Sequence, residues 1–184
     1  KLVLDFGMPM GPFVLADEVG LDVGYKVAKV LEDAYGERMK VSSILDRVYH
    51  QMQLLGKKAG KGFYIHSAKK RVANDAVKAL VFSKRKFDEQ EIIDRAMLIM
   101  VNEAAMCLQE GVVKNAQYLD MAMIMGTGFP PYRGGLLKYA DTLGIKSIVI
   151  TLQSLAKNHG LRFEPAKLLL DMSKNKETFY KIKG

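Results

Sequence analysis

The sequence predicts an all-α protein built from two tandem copies of one helical unit. Three observations support this prediction. Apolar residues recur every three or four positions through most of the chain, between residues that favour helix ends. One segment, within G-K-K-A-G-K-G-F-Y-I, has the character of a short extended piece after a glycine-rich turn. The chain also resembles itself when it is shifted so that Asp17 falls on Asp141.

The helices are predicted one by one from these signals. In several of them the apolar side chains share one face, and a capping residue, a proline or a glycine marks an end. The predicted helices cover residues 23–35, 43–55, 72–82, 88–110, 115–125, 136–143, 146–158 and 165–172.

Individual residues are assigned to the helix ends. Asp88 with Glu91 resembles a capping box at the start of the long fourth helix. Asn115 is predicted to cap the fifth helix, and Pro165 to take the first position of the last. Between the fifth and sixth helices, the loop G-T-G-F-P-P-Y-R-G-G is not expected to be helical, because it contains two adjacent prolines.

The internal repeat is visible at its glycines and at one aspartate. The shift that pairs Asp17 with Asp141 superposes three further identical residues, which are Gly11 on Gly135, Ala16 on Ala140 and Gly20 on Gly144. Each half then ends in a basic and aromatic segment, Lys61–Tyr64 in the first and Lys176–Tyr180 in the second. Self-similarity in this order predicts a duplicated unit.

The charged run over residues 84–91 is the best candidate for the boundary between the copies. We therefore predict a first repeat over residues 1–83 and a second over residues 84–184. Two such copies can pack about a pseudo-twofold axis, as the subunits of a homodimer would, within one chain.

Composition excludes some classes of protein and leaves others open. The net charge of +8 favours acidic partners, so a basic helical nucleic-acid-binding module is the alternative function. The basic residues are nevertheless spread along the chain, and no aromatic residues interleave with their densest runs, Lys69–Arg71 and Lys84–Lys86. A third alternative is a free-standing enzyme with an unrecognised site. No apolar run is long enough to span a membrane, and the first residues given do not show the basic region, apolar stretch and cleavage site of a signal peptide.

The lone cysteine and the first residue bear on the origin of the chain. Cys107 lies within an apolar helical pattern and is interpreted as a core residue. A single cysteine allows no disulfide within the chain, which favours a reducing, intracellular compartment. The chain starts at Lys1 without an initiator methionine, and we interpret it as a piece of a longer protein.

Several motifs of known chemistry are absent. The run G-K-K-A-G-K-G has the wrong spacing for a phosphate-binding loop, and the segment that starts at Gly126 has a proline where a dinucleotide fingerprint has its third glycine. His50, His66 and His159 have no partners at metal-ligand spacing, so we predict no metal site and interpret all three as surface or capping residues. The 11 methionines are interpreted as core, with a pocket for an acyl chain as the alternative.

Four motifs in order resemble the C-terminal part of 3-hydroxyacyl-CoA dehydrogenase. They are F-G-M-P-M-G-P-F-x-L-x-D-x-V-G-L-D, G-K-K-x-G-K-G-F-Y, V-N-E-A-x-x-C-L-Q-E-G and G-x-G-F-P-P-Y-x-G-G. The resemblance covers nearly all of the chain. Because the unit occurs twice, the chain looks most like the multifunctional fatty acid oxidation enzyme, the alpha subunit of its complex, with the first helix of the first copy missing.

The resemblance implies an oxidoreductase of fatty acid β-oxidation, in bacterial cytoplasm rather than the mitochondrial matrix. It implies that NAD and the catalytic histidine and glutamate belong to an upstream Rossmann domain, and hydratase chemistry to a domain before that. The present chain is therefore expected to bind no cofactor, to contain no catalytic residue and to be inactive alone. Its implied partners are those upstream domains, acyl-CoA and a thiolase subunit, and no nucleic acid.

The resemblance also implies a substrate-facing loop, formed by Met8, Pro9, Met10, Gly11 and Pro12. Its prolines would fix the backbone as a rigid wall beside an acyl chain. The alternative interpretation is a tight corner between a loop and a helix, and one segment can serve as both.

The long helix of the second copy departs from the family pattern. The family's long helix carries an Asn-Arg pair, and here the matching pair is Asp94-Arg95, so the second copy is interpreted as a structural relic. The counterpart loop Pro130–Gly135 is likewise expected to be structural. The helix over 88–110 is apolar around most of its circumference, and without the missing helix an apolar groove would remain. We therefore expect the chain to self-associate as a twofold dimer.

Overall fold

A computed structural model describes residues 1–81 and 87–180 of the chain. Within them the protein is all-α apart from one short antiparallel hairpin, so the predicted fold class is confirmed. The helices are α1 (Leu2–Phe6), α2 (Pro12–Val19), α3 (Leu21–Tyr35), α4 (Ser43–Asp46), α5 (Asp75–Lys78), α6 (Glu89–Gln109), α7 (Ala116–Thr127), α8 (Leu136–Leu143), α9 (Ile145–His159) and α10 (Lys167–Asn175). The hairpin pairs β1 (Tyr64–His66) with β2 (Arg71–Ala73).

Most predicted helices occur within a few residues of their expected bounds. Asn115 caps α7 as predicted, because its side-chain oxygen accepts a hydrogen bond from the amide of Tyr118 at 2.9 Å. Asp88 is the N-terminal capping residue of α6, but its side chain makes no capping hydrogen bond. Pro165 does not begin the last helix, since α10 starts two residues later, at Lys167. The ends of helices depend on tertiary contacts, which intrinsic helix propensity does not describe.

The predicted helix over residues 72–82 is wrong. Its first part belongs to β2, and only the short α5 is helical, while residue 82 lies outside the described residues. The cause is Asn74, a buried residue whose side chain donates to the carbonyl oxygen of Gly62 at 2.9 Å and accepts from the amide of Ala76 at 3.2 Å. This side chain starts a new helix at the point where the hairpin ends.

By compactness, the chain divides into two units. The smaller unit is Met10–Lys86, and the larger unit combines Lys1–Pro9 with Phe87–Gly184. The predicted repeat boundary between residues 83 and 84 lies outside the described residues. The division of the chain into repeats therefore stays a prediction.

The core of the larger unit surrounds α6, which packs against α1, α8, α9 and α10. Apolar side chains on several faces of α6 are buried, as its apolar circumference predicts; they include Met97, Leu98, Val101, Ala104 and Ala105. Asn102 is fully buried among them. Its side chain donates to the carbonyl oxygen of Glu164 at 2.7 Å and accepts from the amide of Ala166 at 2.8 Å, which fixes the chain entering α10.

A buried carboxylate on α2 organises the smaller unit. Asp17 is 0% exposed and accepts hydrogen bonds from the amides of Phe63 and Tyr64, both at 2.9 Å. The ring nitrogen Nε2 of His66 lies 2.8 Å from the same carboxylate. A Cβ atom on Gly62 would clash with this carboxylate, so no larger residue fits there. The glycine-rich loop thus wraps around Asp17. This packing explains why the loop is rich in glycine, and no bound phosphate is needed to explain it.

The larger unit contains the same arrangement on α8. Asp141 accepts hydrogen bonds from the amides of Phe179 and Tyr180, both at 2.9 Å. The helices around the two aspartates also agree in length, since α2 and α8 each have eight residues and α3 and α9 each have fifteen. A single glycine with positive φ joins the helices of each pair, Gly20 in one and Gly144 in the other.

The N-terminus of α8 is capped from a neighbouring helix. Its capping position is Gly135, and Asp120 on α7 instead accepts from the amides of Leu137 at 2.7 Å and Lys138 at 3.1 Å. Asp120 is 3% exposed and also accepts from the Tyr180 hydroxyl at 2.7 Å; burial and this hydrogen bond raise the pKa of Tyr180. Gly135 has a φ of 113° and leaves no room for a Cβ beside Asp120.

The N-terminus of α2 differs from that of α8. Its capping residue, Gly11, has an ordinary φ of −74°, and a Cβ placed on it meets nothing within 4 Å. The amides of Phe13 and Val14, which correspond to those that Asp120 caps, have no acceptor within residues 1–81 and 87–180. One glycine is therefore required by its surroundings, and the other is not required by anything in the described chain.

Serine substitutions at these two glycines should have opposite effects. Gly135→Ser should lower the free energy of unfolding by at least about 2 kcal/mol, because it places a side chain at strained φ against a buried carboxylate. Gly11→Ser should be neutral or stabilise by up to about 1 kcal/mol, because its hydroxyl can accept from the free amides of α2. Urea unfolding measures both variants. Equal destabilisation by both substitutions would contradict the geometry described here.

Candidate functional site

The predicted substrate-facing loop begins in the larger unit. Met8 is partly buried against the core of that unit, and its amide donates to the carbonyl oxygen of Val3 at 3.1 Å. Pro9 is exposed on one side and packs closely on Gly128, where an added Cβ would lie 2.7 Å from its ring. The first two residues of the loop are therefore held firmly by contacts within the larger unit.

The remaining three loop residues belong to the smaller unit. Met10 is 37% exposed, Gly11 faces open space, and Pro12 is the first residue of α2. An ordinary φ and an empty surrounding give no reason within the described residues for a glycine at position 11. The glycine and the two unpaired amides that follow it leave room, and hydrogen-bond donors, for a group from outside the described chain.

An apolar cavity of about 200 Å³ lies in the smaller unit directly after this loop. Phe13, which is half exposed, packs on Phe63 with ring centroids 4.8 Å apart and forms one wall. The other lining residues come from α4, β1, β2, α5 and the turn after it; they are Ile44, Tyr64, Ala73, Asn74, Val77, Lys78 and Val81. The sequence motifs contain both phenylalanines but do not show that they meet, so this cavity could not be predicted from them.

The cavity has the chemistry of a binding surface rather than of a catalytic centre. Its polar lining side chains are Tyr64, Asn74 and Lys78, and the last two already have partners. Asn74 holds the hairpin, and the Lys78 ammonium pairs with Asp75 at 2.8 Å. Among the described residues, no histidine and no carboxylate lines the cavity, so its walls suit an apolar group such as an acyl chain.

The histidines lie elsewhere, each beside a carboxylate. His50 is exposed, 4.0 Å from Asp46, and His159 lies 3.2 Å from Glu91 near the C-terminus of α9. The interpretation of His66 as a surface or capping residue is wrong, because its side chain is only 11% exposed and lies against the buried carboxylate described above. Each of these three contacts lies within one unit of the chain.

The counterpart loop in the larger unit uses its side chains for internal contacts. The hydroxyl of Tyr132 donates to the carbonyl oxygen of Phe6 at 2.8 Å, and the guanidinium of Arg133 donates to the same oxygen at 3.1 Å and 3.2 Å. That guanidinium also lies over the Phe6 ring, 3.9 Å from its centroid. These contacts give residues 130–135 a structural role.

Metal sites and membrane spans are two further classes of feature to consider in the described part of the chain. It contains no group of three or more histidine, cysteine, aspartate or glutamate side chains that could hold a metal ion. None of its helices combines the length and the apolar character needed to cross a membrane. Cys107 is partly buried against the core of the larger unit.

Two solved structures have similar folds. One is the 3-hydroxybutyryl-CoA dehydrogenase of Escherichia coli K12, 22% identical with a TM-score of 0.71; the match covers 92% of this chain and 52% of that one. The other is the dehydrogenase part of multifunctional enzyme 1 from C. elegans, 24% identical with a TM-score of 0.67; the match covers 93% of this chain and 40% of that one. The present chain thus spans about half, or less, of the length of these proteins.

The family comparison covers both halves of the chain. The family described as the 3-hydroxyacyl-CoA dehydrogenase, C-terminal domain, matches residues 1–66 and again residues 92–182. These two segments make up most of the sequence and contain both Asp17 and Asp141, with the aromatic segments that they hold. The chain belongs to the family of 3-hydroxyacyl-CoA dehydrogenase C-terminal domains.

Proposed function

We propose that the chain is the C-terminal, substrate-facing part of an NAD-dependent 3-hydroxyacyl-CoA dehydrogenase of fatty acid β-oxidation, and that it is inactive alone. The observation that carries this proposal is the family match over residues 1–66 and 92–182. Both structural relatives are named as dehydrogenases, and each extends well beyond the region matched here. The reaction would therefore need a nicotinamide-binding domain, with NAD as the hydride acceptor, in addition to this chain.

The described residues do not fit NAD themselves. The sequence Gly126-Thr127-Gly128 begins like a dinucleotide fingerprint, but it lies at the C-terminus of α7, and Gly128 packs on Pro9. The C-terminal end of a helix carries partial negative charge and repels a pyrophosphate. No step of hydride transfer is assigned to these residues.

We infer that the chain contains two copies of the family's helical unit with different roles. The support is the pairing of α2 with α8 and of α3 with α9, together with aspartates that bind equivalent aromatic segments. The copies differ at the start of the first paired helix. The second is closed by Asp120, and the first is open at Gly11, so the first copy has the geometry of a binding site.

In the proposed enzyme, the loop of the first copy forms a wall that positions the substrate. Pro9 and Pro12 restrict the backbone, Gly11 leaves space for the ligand, and Phe13 with the neighbouring cavity offers apolar surface to the acyl chain. The described residues supply no acid or base there. Their part in the reaction is to exclude water and to orient the thioester.

No observation favours the alternative of nucleic-acid binding. Lysines at the surface of the smaller unit pair with nearby carboxylates, as Lys57 does with Glu18 at 2.8 Å and Lys40 with Glu37 at 2.8 Å. Such pairs neutralise the face that would have to track a phosphate backbone.

A ligand-detected NMR measurement tests the proposed substrate wall. Acetoacetyl-CoA should receive saturation from the protein at its acyl and pantetheine protons, whereas NAD should receive none. Gly11→Leu should weaken the binding of the CoA ester at least about fivefold, because the leucine fills the open space beside the loop. The matched control is Gly126→Leu, an equally open glycine on α7. Equal binding by the protein and by Gly11→Leu would contradict the proposal.

We also propose that the chain self-associates through an apolar surface of the larger unit. Three side chains on one face of α7 are largely exposed, Tyr118 at 61%, Met121 at 60% and Met125 at 78%. They adjoin a groove of about 490 Å³ between α6 and α7 whose lining includes Met100 and Cys107. Exposed apolar surface of this kind is typical of protein–protein contacts.

Light scattering on a sizing column tests this association. The protein should elute as a dimer at high micromolar concentration, and Met121→Glu should shift it to monomer by placing a charge in the apolar surface. Lys146→Gln, a change at an exposed residue of α9, should leave the dimer intact. A monomer at high concentration would contradict the proposed association.

A further inference from the structure

A second cleft, of about 490 Å³, lies within the larger unit between the first half of α6 and the C-terminal end of α9. Its volume falls in the range of small-molecule sites, roughly 300–1,000 Å³. The floor is apolar and the rim is basic. The floor consists of Ile92, Ala96, Ile99 and Phe163, and the rim of Arg95, His159 and Arg162.

The arginine on α6 has no counter-ion in the described chain. Arg95 is partly buried, and its guanidinium lies 5.8 Å from the centroid of the Phe87 ring. It makes no ion pair within residues 1–81 and 87–180. A guanidinium beside an apolar surface loses hydration and gains most from a planar oxyanion that accepts two of its N–H groups.

Among the described residues, two guanidinium groups line this cleft, and the nearby carboxylate of Glu91 lies 3.2 Å from the ring of His159. The guanidinium of Arg95, which has no ion pair there, is the group left to bind an anion. The position of His159 in the last turn of α9 is explained by the helix dipole. That explanation does not extend to Arg95, which lies on the other wall, in α6.

We propose that this cleft binds a small amphipathic anion, with a carboxylate or phosphate head at the rim and an apolar body on the floor. The guanidinium of Arg95 provides the head with its charged donors, and Ile92, Ile99 and Phe163 contact the body. The site lies wholly in the larger unit. It shares no residue with the cavity of the smaller unit and does not include Gly11. It does not depend on the proposed function.

A titration of the isotope-labelled chain, followed by amide NMR shifts, tests the site. The probes are hexanoate, hexyl phosphate, inorganic phosphate and hexanol. Hexanoate or hexyl phosphate should shift amides of α6 and of the turn after α9, whereas inorganic phosphate and hexanol should each bind at least about tenfold more weakly, because each has half of the required chemistry. The stronger of the two amphiphiles identifies the head group.

Variants of the rim complete the experiment. Arg95→Gln should weaken the preferred amphiphile at least about tenfold, and Arg95→Lys should weaken it less, because lysine retains the charge but not the planar fork. Lys157→Gln removes an exposed charge from α9 outside the cleft and should change nothing. Thermal unfolding checks that each variant is folded. Binding that is unchanged in folded Arg95→Gln, or that is equal for inorganic phosphate and the amphiphiles, would overturn the proposal.

Discussion

The hydrogen bonds from backbone amides to two aspartates, Asp17 and Asp141, are the constraint on which both units depend. Each carboxylate sits on a short helix and holds a Phe-Tyr segment that is far away in the sequence. Asp17 is 0% exposed, and a buried carboxylate is costly unless its oxygens accept hydrogen bonds, so these contacts strongly restrict the chain around Asp17. The neighbouring loop of the smaller unit must contain glycine at Gly56 and Gly62, because a Cβ atom at either position would clash with Asp17.

The same constraint explains how the two halves differ. In the larger unit a second carboxylate, Asp120, closes the start of α8 and binds the hydroxyl of Tyr180. In the smaller unit no described residue closes the start of α2, and its capping glycine faces open space. In the proposed function, the same helix pair is a scaffold in the larger unit and a binding surface in the smaller unit. The observed difference between the two is the carboxylate that closes the start of α8 and has no described counterpart at α2.

Much of the fold could be predicted from sequence because it depends on local patterns of apolar and capping residues. Apolar spacing predicted α3, α8 and α9, and the cap at Asn115 was correct. The helix predicted over 72–82 failed because a buried contact of Asn74 with Gly62 outweighs local propensity. The shift that pairs the two aspartates was visible in sequence, but their hydrogen-bond partners were not.

The candidate site was predictable only in part, for a related reason. A family resemblance places the loop from Met8 to Pro12, but it cannot show that Gly11 faces open space or that Phe13 meets Phe63 beside a cavity. The basic cleft around Arg95 was equally hidden, since its walls come from α6 and α9, more than fifty residues apart. Such juxtapositions arise from packing, and no periodicity encodes them.

Amide hydrogen exchange after removal of one carboxylate tests the central claim most directly. In Asp17→Ala the amides of Phe63 and Tyr64 should lose at least about a hundredfold of protection, because their buried acceptor is gone. The amides of Phe179 and Tyr180, held by Asp141, should keep theirs. Asp33→Ala, a change at an exposed aspartate, is the matched control. If Phe63 and Tyr64 stayed as protected in Asp17→Ala as in the unaltered protein, the buried carboxylate would not be what holds the smaller unit together.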